Sequence, residues 1–287
     1  GVNRYPDPQQ HTVKDLLSEI KGIDKKNILL GNGSDEVLDL IFRAFCEPNR
    51  DNIITLPPTY GMYSVLANLN AIENRTVLLN EDFQPKVSQI IEAADSNSKI
   101  LFLCSPNNPT GNSFTADAVE ELLLNFNGLV VLDEAYIDFS NKETWLTKLD
   151  EFPNLIITQT LSKAYGLAGI RLGICYASKE IIKILNNIKP PYNINELTQQ
   201  RAMIRLQKMT KIKFGTDGWR AIIAKEFTVD NVARVTVGLV QWLKKENKAS
   251  KGVVIGYDCR FGGQLFSETV AKVLKKGDIV IYESTVY

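Results

Sequence analysis

Short apolar runs alternate along this chain with amphipathic helical patterns, and this alternation limits the fold more than any other feature of the sequence. The run NILLGNG precedes SDEVLDLIFRAFC, NIITLPPT precedes YGMYSVLANLN, and KILFLCSPNNPTG precedes TADAVEELLLNF. Short apolar runs bounded by turn residues are typical of strands, whereas apolar residues three and four apart are typical of helices. Strands and helices in this order predict an α/β fold with a mostly parallel sheet.

The same alternation continues through GLVVLDEAYIDF, LIITQTLSKAYG and IRLGICYAS, and two helical patterns follow, KEIIKILNNIK and ELTQQRAMIRLQ. In open parallel sheets, ligands bind outside the carboxyl ends of the strands. The polar residues that end these apolar runs are therefore the candidate site residues.

The charge balance and the cysteine content indicate which kinds of ligand and metal the chain can bind. Acidic and basic residues balance at 33 each, so no net field draws the chain to nucleic acid or to an anionic membrane. No apolar run reaches the roughly twenty residues of a membrane span. The four cysteines are scattered, with no CxxC pair and no histidine cluster beside them. We expect a small-molecule ligand, no metal site, and reduced thiols in a cytoplasmic protein.

Lys163, in TLSKAYGLAGIRLG, follows an apolar run, where an amine held in a pocket can form a Schiff base with an aldehyde. Its neighbours Thr160, Ser162 and Arg171 offer two hydroxyls and a guanidinium that could converge on a phosphate. Taken singly, Lys163 is more simply a solvated surface lysine, and Thr160, Ser162 and Arg171 are more simply ordinary polar groups of turns and helix ends. The residues alone leave both interpretations open.

A second anion site is indicated by GNGSDEVLDL, in which Gly31, Gly33, Ser34 and Asp35 follow a strand and open a helix. The first N–H groups of a helix are free to bind an anion. The alternative is a glycine turn in which Ser34 or Asp35 caps the helix.

Asp133 ends the apolar run GLVVLD, where a buried carboxylate requires a cationic or hydrogen-bonding partner, and a protonated pyridine nitrogen is one such partner. Asn108 in SPNNPTG and Tyr136 after Asp133 could both reach a ring hydroxyl, although NNPTG is also an ordinary turn sequence. Tyr60 in PPTYGMY is either a core aromatic residue or a platform that stacks on a planar ring.

Taken together and in this order, these motifs resemble the fold-type I pyridoxal-phosphate aminotransferases. The segments NRYPDPQ, GNGSDE, PTYGMY, SPNNPTG, LDEAYIDF and TLSKAYGLAGIRLG resemble the histidinol-phosphate aminotransferase family in particular, over about residues 3–207. Threonine-phosphate decarboxylases share much of the lysine and phosphate region, but PTYGMY and LDEAYIDF favour the histidine-pathway family.

The resemblance implies a role for each candidate residue. Lys163 forms the Schiff base with pyridoxal phosphate, Asp133 pairs with the pyridine nitrogen, Asn108 and Tyr136 bond the ring oxygen, and Tyr60 stacks on the ring. The cofactor phosphate is then held by Ser34, Asp35, Thr160, Ser162 and Arg171, and by Tyr5 from a second subunit.

The implied reaction is a transamination in histidine biosynthesis. Asp133 keeps the ring nitrogen protonated, and Lys163 is the base that moves the substrate proton; Tyr136 is the third catalytic residue. The partners are a phosphorylated amine, histidinol phosphate, and a 2-oxo acid, 2-oxoglutarate, and the enzyme is a homodimer.

From Met209 onward the chain resembles a different family. KFGTDGWR at residues 213–220 and VVIGYDCR at residues 253–260 resemble the start of the phosphohexomutases, whose first motif binds substrate phosphate; Arg220 is its basic residue here. The phosphoserine loop and the metal-binding loop of that family are missing, so we expect no mutase reaction. Arg260 is equally well explained as a surface residue at a strand end.

The last segment, KKGDIVIYESTVY, resembles an internal part of UDP-N-acetyl-sugar dehydrogenases, but their glycine-rich fingerprint is missing, so no NAD site is predicted. We therefore predict three domains joined as in a chimera. They are an aminotransferase large domain at residues 1–208, an incomplete α/β mutase fragment at residues 209–273, and a dehydrogenase-like fragment at residues 274–287.

Three functions are consistent with this organisation. The first is a transaminase whose activity is impaired, because the family's opening substrate motif and its small C-terminal domain are expected to be missing. The second is a non-catalytic remnant that at most binds pyridoxal phosphate or phosphate. The third is weak sugar-phosphate binding by the mutase fragment.

Overall fold

The computed structural model of the chain describes residues 3–207, 229–257, 263–277, 279 and 281–285. The chain divides into two compact units, Gly1–Gln207 and Lys208–Tyr287. The predicted domain junctions after residues 208 and 273 stay predictions; the second of them falls within a helix of the second unit.

The described residues of the first unit form a seven-stranded sheet in the order β1-β7-β6-β5-β4-β2-β3. Only β7 runs antiparallel to its neighbours, and the other pairs are parallel. The prediction of an α/β fold with a mostly parallel sheet is confirmed. The strands are β1 Ile28–Asn32, β2 Asn52–Thr55, β3 Glu73–Thr76, β4 Ser98–Cys104, β5 Leu129–Asp133, β6 Leu155–Thr160 and β7 Leu172–Tyr176.

Helices cover both faces of this sheet. Two apolar clusters lie on opposite faces, because successive strand side chains alternate: Leu101 and Leu103 belong to one cluster, Ile100 and Phe102 to the other. Helices α1, α4, α5 and α7 pack in the first cluster, and α2, α3 and α6 in the second. The helices are α1 His11–Lys21, α2 Gly33–Phe45, α3 Met62–Leu69, α4 Val87–Ala93, α5 Ala116–Asn125, α6 Lys179–Ile188 and α7 Glu196–Gln207.

The central strands read as continuous apolar runs because both of their faces are covered. The edge strand β3 differs: its sequence is ENRT, and all four residues are at least partly exposed. It pairs with β2 from Asn52 opposite Glu73 to Thr55 opposite Thr76. Sequence analysis missed β3 because a polar edge strand produces no apolar run.

The antiparallel direction of β7 decides where the connection after β6 lies. Thr160 at the end of β6 pairs with Gly173 at the beginning of β7. Both ends of the connecting segment, residues 161–171, are therefore fixed at the carboxyl edge of the parallel strands. This segment carries Lys163 and Arg171, which thus remain near the ends of β4 and β5.

The second unit has its own small apolar cluster, to which Val240, Leu243, Ile255, Leu274 and Ile279 belong. Its described elements are α8 Val229–Lys245, β8 Val253–Tyr257, α9 Gly263–Lys276 and β9 Ile281–Thr285. Strands β8 and β9 pair in parallel, from Val253 opposite Ile281 to Tyr257 opposite Thr285. This α/β arrangement agrees with the predicted incomplete α/β segment.

Gly173 is where β7 approaches the beginning of α2 most closely. A Cβ atom at this position would lie 2.3 Å from the backbone nitrogen of Ser34 and 2.4 Å from the carbonyl carbon of Gly33. Backbone atoms cannot move aside as the end of a side chain can, so the α2 amino terminus depends on this glycine.

We predict that Gly173→Ala lowers the free energy of unfolding by about 1 to 3 kcal/mol or more, because the added methyl group overpacks a backbone contact. Urea denaturation of the purified chain measures the loss. Gly169→Ala is the matched control, since a Cβ atom there meets nothing within 4 Å, and it should stay within about 0.5 kcal/mol of wild type. Equal losses in the two variants would contradict this account of the contact.

Candidate active site

One cavity of about 120 Å³ opens at the carboxyl edge of the sheet in the first unit. Its lining comes from the beginning of α2, the ends of β4, β5 and β6, and the segments that follow β2, β4, β5 and β6. The structure brings ten of the eleven predicted site residues to this cavity: Ser34, Asp35, Tyr60, Asn108, Asp133, Tyr136, Thr160, Ser162, Lys163 and Arg171.

Tyr5 is the predicted residue that does not line the cavity. Its ring is 81% exposed and stacks on Tyr192 with ring centroids 4.6 Å apart. Its role in a second subunit stays a prediction.

The Asp133 carboxylate lies at the floor of the cavity and is 3% exposed. Tyr63 Oη donates to its Oδ2 at 2.7 Å, and Thr158 Oγ1 and the Ala135 N–H donate to its Oδ1 at 3.1 and 3.2 Å. Burial raises the pKa of Asp133, while these three hydrogen bonds lower it. A cation placed in the cavity would complete the pairing of this carboxylate.

The part of the cavity lined by Ser34, Asp35 and Arg171, here called the anion end, is suited to an anion. The first N–H groups of α2 point out of the helix at Ser34 and Asp35, and the Arg171 guanidinium lies beside them. Gly33 has a φ of +78°, and a Cβ atom there would lie 2.5 Å from Arg171 Nη2. The glycine therefore leaves the room that this guanidinium occupies.

Asp35 contacts both Arg171 at the anion end and Tyr60 on the wall of the cavity. Its carboxylate lies 3.5 Å from Arg171 Nη2 and accepts a hydrogen bond of 3.2 Å from Tyr60 Oη. Partial burial and the neighbouring Asp35 charge raise the pKa of Tyr60 to about 12, so the phenol stays protonated at neutral pH. Tyr60 is thereby fixed on the wall of the cavity.

Lys163 lies at the mouth of the cavity. Its Nζ is 5.3 Å from the centroid of the Tyr136 ring, within the range of a cation–π contact. Its segment is held in a turn, because the Gly166 N–H donates to the Lys163 carbonyl at 2.9 Å. Tyr136 lies beyond the end of β5 at Asp133 and immediately precedes a short 3₁₀ turn, Ile137–Phe139.

Three residues that sequence analysis did not single out support these segments. Asn107 is buried and joins the Tyr60 and Asn108 segments, since its Nδ2 donates to the Pro58 carbonyl at 2.9 Å and its Oδ1 accepts from Thr59. Glu134 is buried and accepts hydrogen bonds from Thr144, the Trp145 N–H and Gln159. Tyr63 holds Asp133. None of the three had a distinct signal in the sequence, because their roles depend on hydrogen bonds to residues in other segments.

Other predicted features lie outside this cavity. Several of them fall outside the described residues: the mutase-like motif at residues 213–220 with Arg220, and Cys259 and Arg260.

Within the described residues, no group of His, Cys, Asp and Glu side chains could hold a metal ion. The same part of the chain contains no helix long and apolar enough to cross a membrane. Cys46, Cys104 and Cys175 are free thiols.

The comparison with family models identifies the first unit. A model of aminotransferase class I and II matches residues 1–228. The chain belongs to the class I and II aminotransferases. A second model, of the phosphoglucomutase/phosphomannomutase alpha/beta/alpha domain I, matches residues 211–286, so this aminotransferase chain also carries a mutase-like segment. That match includes the segment for which a dehydrogenase resemblance was predicted.

Curated relatives of this aminotransferase chain are histidinol-phosphate aminotransferases. The protein of Flavobacterium johnsoniae is 72% identical over 213 residues, which are 74% of this chain and 61% of that protein. The protein of Bacteroides thetaiotaomicron is 54% identical over 211 residues, again 61% of its length. The chain therefore spans about 61% of the length of these relatives.

Solved structures show the same fold. The histidinol-phosphate aminotransferase of Sinorhizobium meliloti, in complex with pyridoxal-5'-phosphate, superposes with a TM-score of 0.67 at 23% identity, covering 83% of this chain and 63% of that one. The enzyme of Clostridium acetobutylicum gives a TM-score of 0.65 at 20% identity, covering 87% and 70%. At this identity the likeness concerns the fold alone.

The anion end of the cavity leads to a prediction. Inorganic phosphate at a few times its Kd should raise the melting temperature of the chain by about 2 to 4 °C over sodium chloride of equal ionic strength, because it binds the folded state only. Differential scanning fluorimetry measures the shift. Arg171→Ala should abolish it, whereas Lys179→Ala, which removes a surface partner of Asp24, should leave it unchanged. A full shift in Arg171→Ala would contradict an anion site at this position.

Proposed function

We propose that the first unit binds pyridoxal 5'-phosphate in this cavity and that the chain acts in the transamination of histidinol phosphate with 2-oxoglutarate. The observation that carries the proposal is the placement of a lysine amine, a buried carboxylate and an anion end around one cavity. Each of the three would meet a different part of the cofactor, which combines an aldehyde, a pyridine nitrogen and a phosphate.

The residues present fit this cofactor chemically. The buried Asp133 carboxylate would pair with the protonated ring nitrogen, and the α2 amino terminus with Arg171 would take the phosphate. Thr160 and Ser162 would add hydroxyl donors at the phosphate. Lys163 Nζ would hold the aldehyde carbon.

The remaining wall residues would orient the ring. Asn108 and Tyr136 line the cavity from the segments after β4 and β5, where both would bond the ring oxygen. Tyr60 would stack on the ring, because its position is fixed by the bond to Asp35.

When bound, pyridoxal phosphate supplies an electron sink for the charge that develops at the substrate carbon beside the amine. Asp133 supports this chemistry by holding a proton on the ring nitrogen. Lys163 Nζ, once free of the cofactor, would be the base that takes the proton from that substrate carbon and would hold it as an ammonium until it is given back. The substrate proposal is supported by the relatives at 72% and 54% identity, which are histidinol-phosphate aminotransferases.

If pyridoxal phosphate binds as proposed, the purified chain should still show the visible absorbance band of bound cofactor after it is mixed with pyridoxal phosphate and desalted. Lys163→Ala should lose this absorbance, because no other amine lies at that place in the described cavity. Lys183→Ala, an exposed lysine on α6, is the matched control and should behave as wild type. Absorbance that survives desalting in Lys163→Ala would contradict the assigned role.

The substrate proposal predicts that histidinol phosphate changes this absorbance within one turnover and that 2-oxoglutarate then restores it. Stopped-flow spectroscopy of the cofactor-loaded chain measures both changes, with phosphothreonine at the same concentration as the comparison amine. A response to phosphothreonine alone would contradict histidinol phosphate as the substrate and would indicate a substrate like that of a threonine-phosphate decarboxylase. A loaded chain that responds to neither amine would reject the transaminase function and keep only cofactor binding.

A further inference from the structure

The phenol of Tyr63 is buried beside the candidate site but does not line its cavity. The side chain is 0% exposed, and its hydroxyl makes a 2.7 Å hydrogen bond to Asp133 Oδ2, the shortest that this carboxylate receives. Buried tyrosine hydroxyls usually form a hydrogen bond. The particular acceptor here is the carboxylate at the floor of the proposed cofactor site.

The bonds to Asp133 are divided unequally between its two oxygens. Oδ1 receives two hydrogen bonds, from Thr158 Oγ1 and from the Ala135 N–H. Oδ2 receives only the bond from Tyr63 among the hydrogen bonds of the described residues. Loss of the Tyr63 hydroxyl would therefore leave a buried carboxylate oxygen with no donor from the protein, which is costly for a charged group.

Tyr63 is itself held rigidly. Its ring stacks on Phe102 of β4 with centroids 4.6 Å apart and planes 14° from parallel. The ring of Tyr60 meets it edge to face at 5.5 Å and 86°. Because α3 and β4 fix this ring, the direction of its hydroxyl toward Asp133 is fixed as well.

We propose that Tyr63 is a positioning residue, which keeps the Asp133 carboxylate ionised and correctly oriented to pair with the ring nitrogen of the cofactor. The proposal rests on the proposed function, because it assigns a partner to the same carboxylate. Tyr63 touches neither the cavity nor the reacting atoms; it acts through Asp133.

The surroundings of Asp133 make this bond important. Other titratable groups face it from several elements: Cys104 at the end of β4, Asp35 at the beginning of α2, and Tyr60, Tyr136 and Lys163 in the same cavity. Burial raises the pKa of the Cys104 thiol to about 12, so it stays neutral. The Asp35 charge disfavours ionisation of Asp133, whereas Tyr63 favours it.

Tyr63→Phe removes the hydroxyl and keeps the stacked ring. We expect the Kd for pyridoxal phosphate, measured by absorbance titration of the full chain, to rise about tenfold, because a hydrogen bond to a charged group is lost. Tyr176→Phe is the matched control, since Tyr176 is equally buried and its hydroxyl has no partner among the described residues. Its Kd should equal that of wild type.

A second measurement uses the chain without cofactor. Carbon-13 NMR of the Asp carboxyl carbons, assigned with Asp133→Asn, follows the titration of Asp133. In Tyr63→Phe the pKa of Asp133 should be higher than in wild type, because a donor to the ionised form is lost; in Tyr176→Phe it should be unchanged. In wild type alone, the hydroxyl-bearing ring carbon of Tyr63 should shift with the same pH midpoint as the Asp133 carboxyl carbon, so this test does not require the variant to fold.

The outcomes separate the two proposals. Wild type that binds no pyridoxal phosphate overturns the proposed function and the positioning role together, even where the titration shows that Tyr63 and Asp133 are coupled. Wild type that binds it, with Tyr63→Phe binding equally well, overturns the positioning role alone. A Tyr63 ring carbon that does not respond as Asp133 titrates also overturns it. A raised Kd with a raised pKa in Tyr63→Phe supports it.

Discussion

The Asp133 carboxylate is buried at the end of a central strand, and the candidate site is organised around the groups that make this burial tolerable. Ionised carboxylates are costly in a protein interior unless hydrogen bonds or a cation offset the lost hydration. Here α3, β6 and the backbone after β5 each supply one donor. A cation in the cavity would complete the set.

The direction of one strand brings the remaining groups to this carboxylate. Because β7 returns antiparallel beside β6, the segment with Lys163 and Arg171 stays at the carboxyl edge of the sheet. The same strand pairs with β1, so that Gly173 presses against the beginning of α2 and sets the position of its N–H groups. The positions of the lysine and of both parts of the anion end therefore depend on how β7 pairs with its two neighbours.

The two units are matched by two different family models, over residues 1–228 and 211–286. The described residues of the first unit form two apolar clusters, and those of the second unit form another. The chemistry that the described residues assemble lies in the first unit, where the cavity, the buried carboxylate and the lysine occur together.

Much of this could be predicted from the sequence, because strand ends and helix starts are local features. Apolar runs predicted β1, β2, β4, β5, β6 and β7, and polar residues near the ends of these runs supplied ten of the twelve residues that line the cavity. The sequence could not reveal β3, whose polar residues pair only because β2 has a free edge beside them. Nor could it show which partners Asp133, Asn107 and Glu134 would find, since these bonds join residues as far apart as Tyr63 and Asp133. The sequence by itself determined the fold class and the chemical groups available, through residue types and local periodicity. Only the packing of distant segments decided which hydrogen bonds form, because such bonds depend on distances that a linear sequence does not contain.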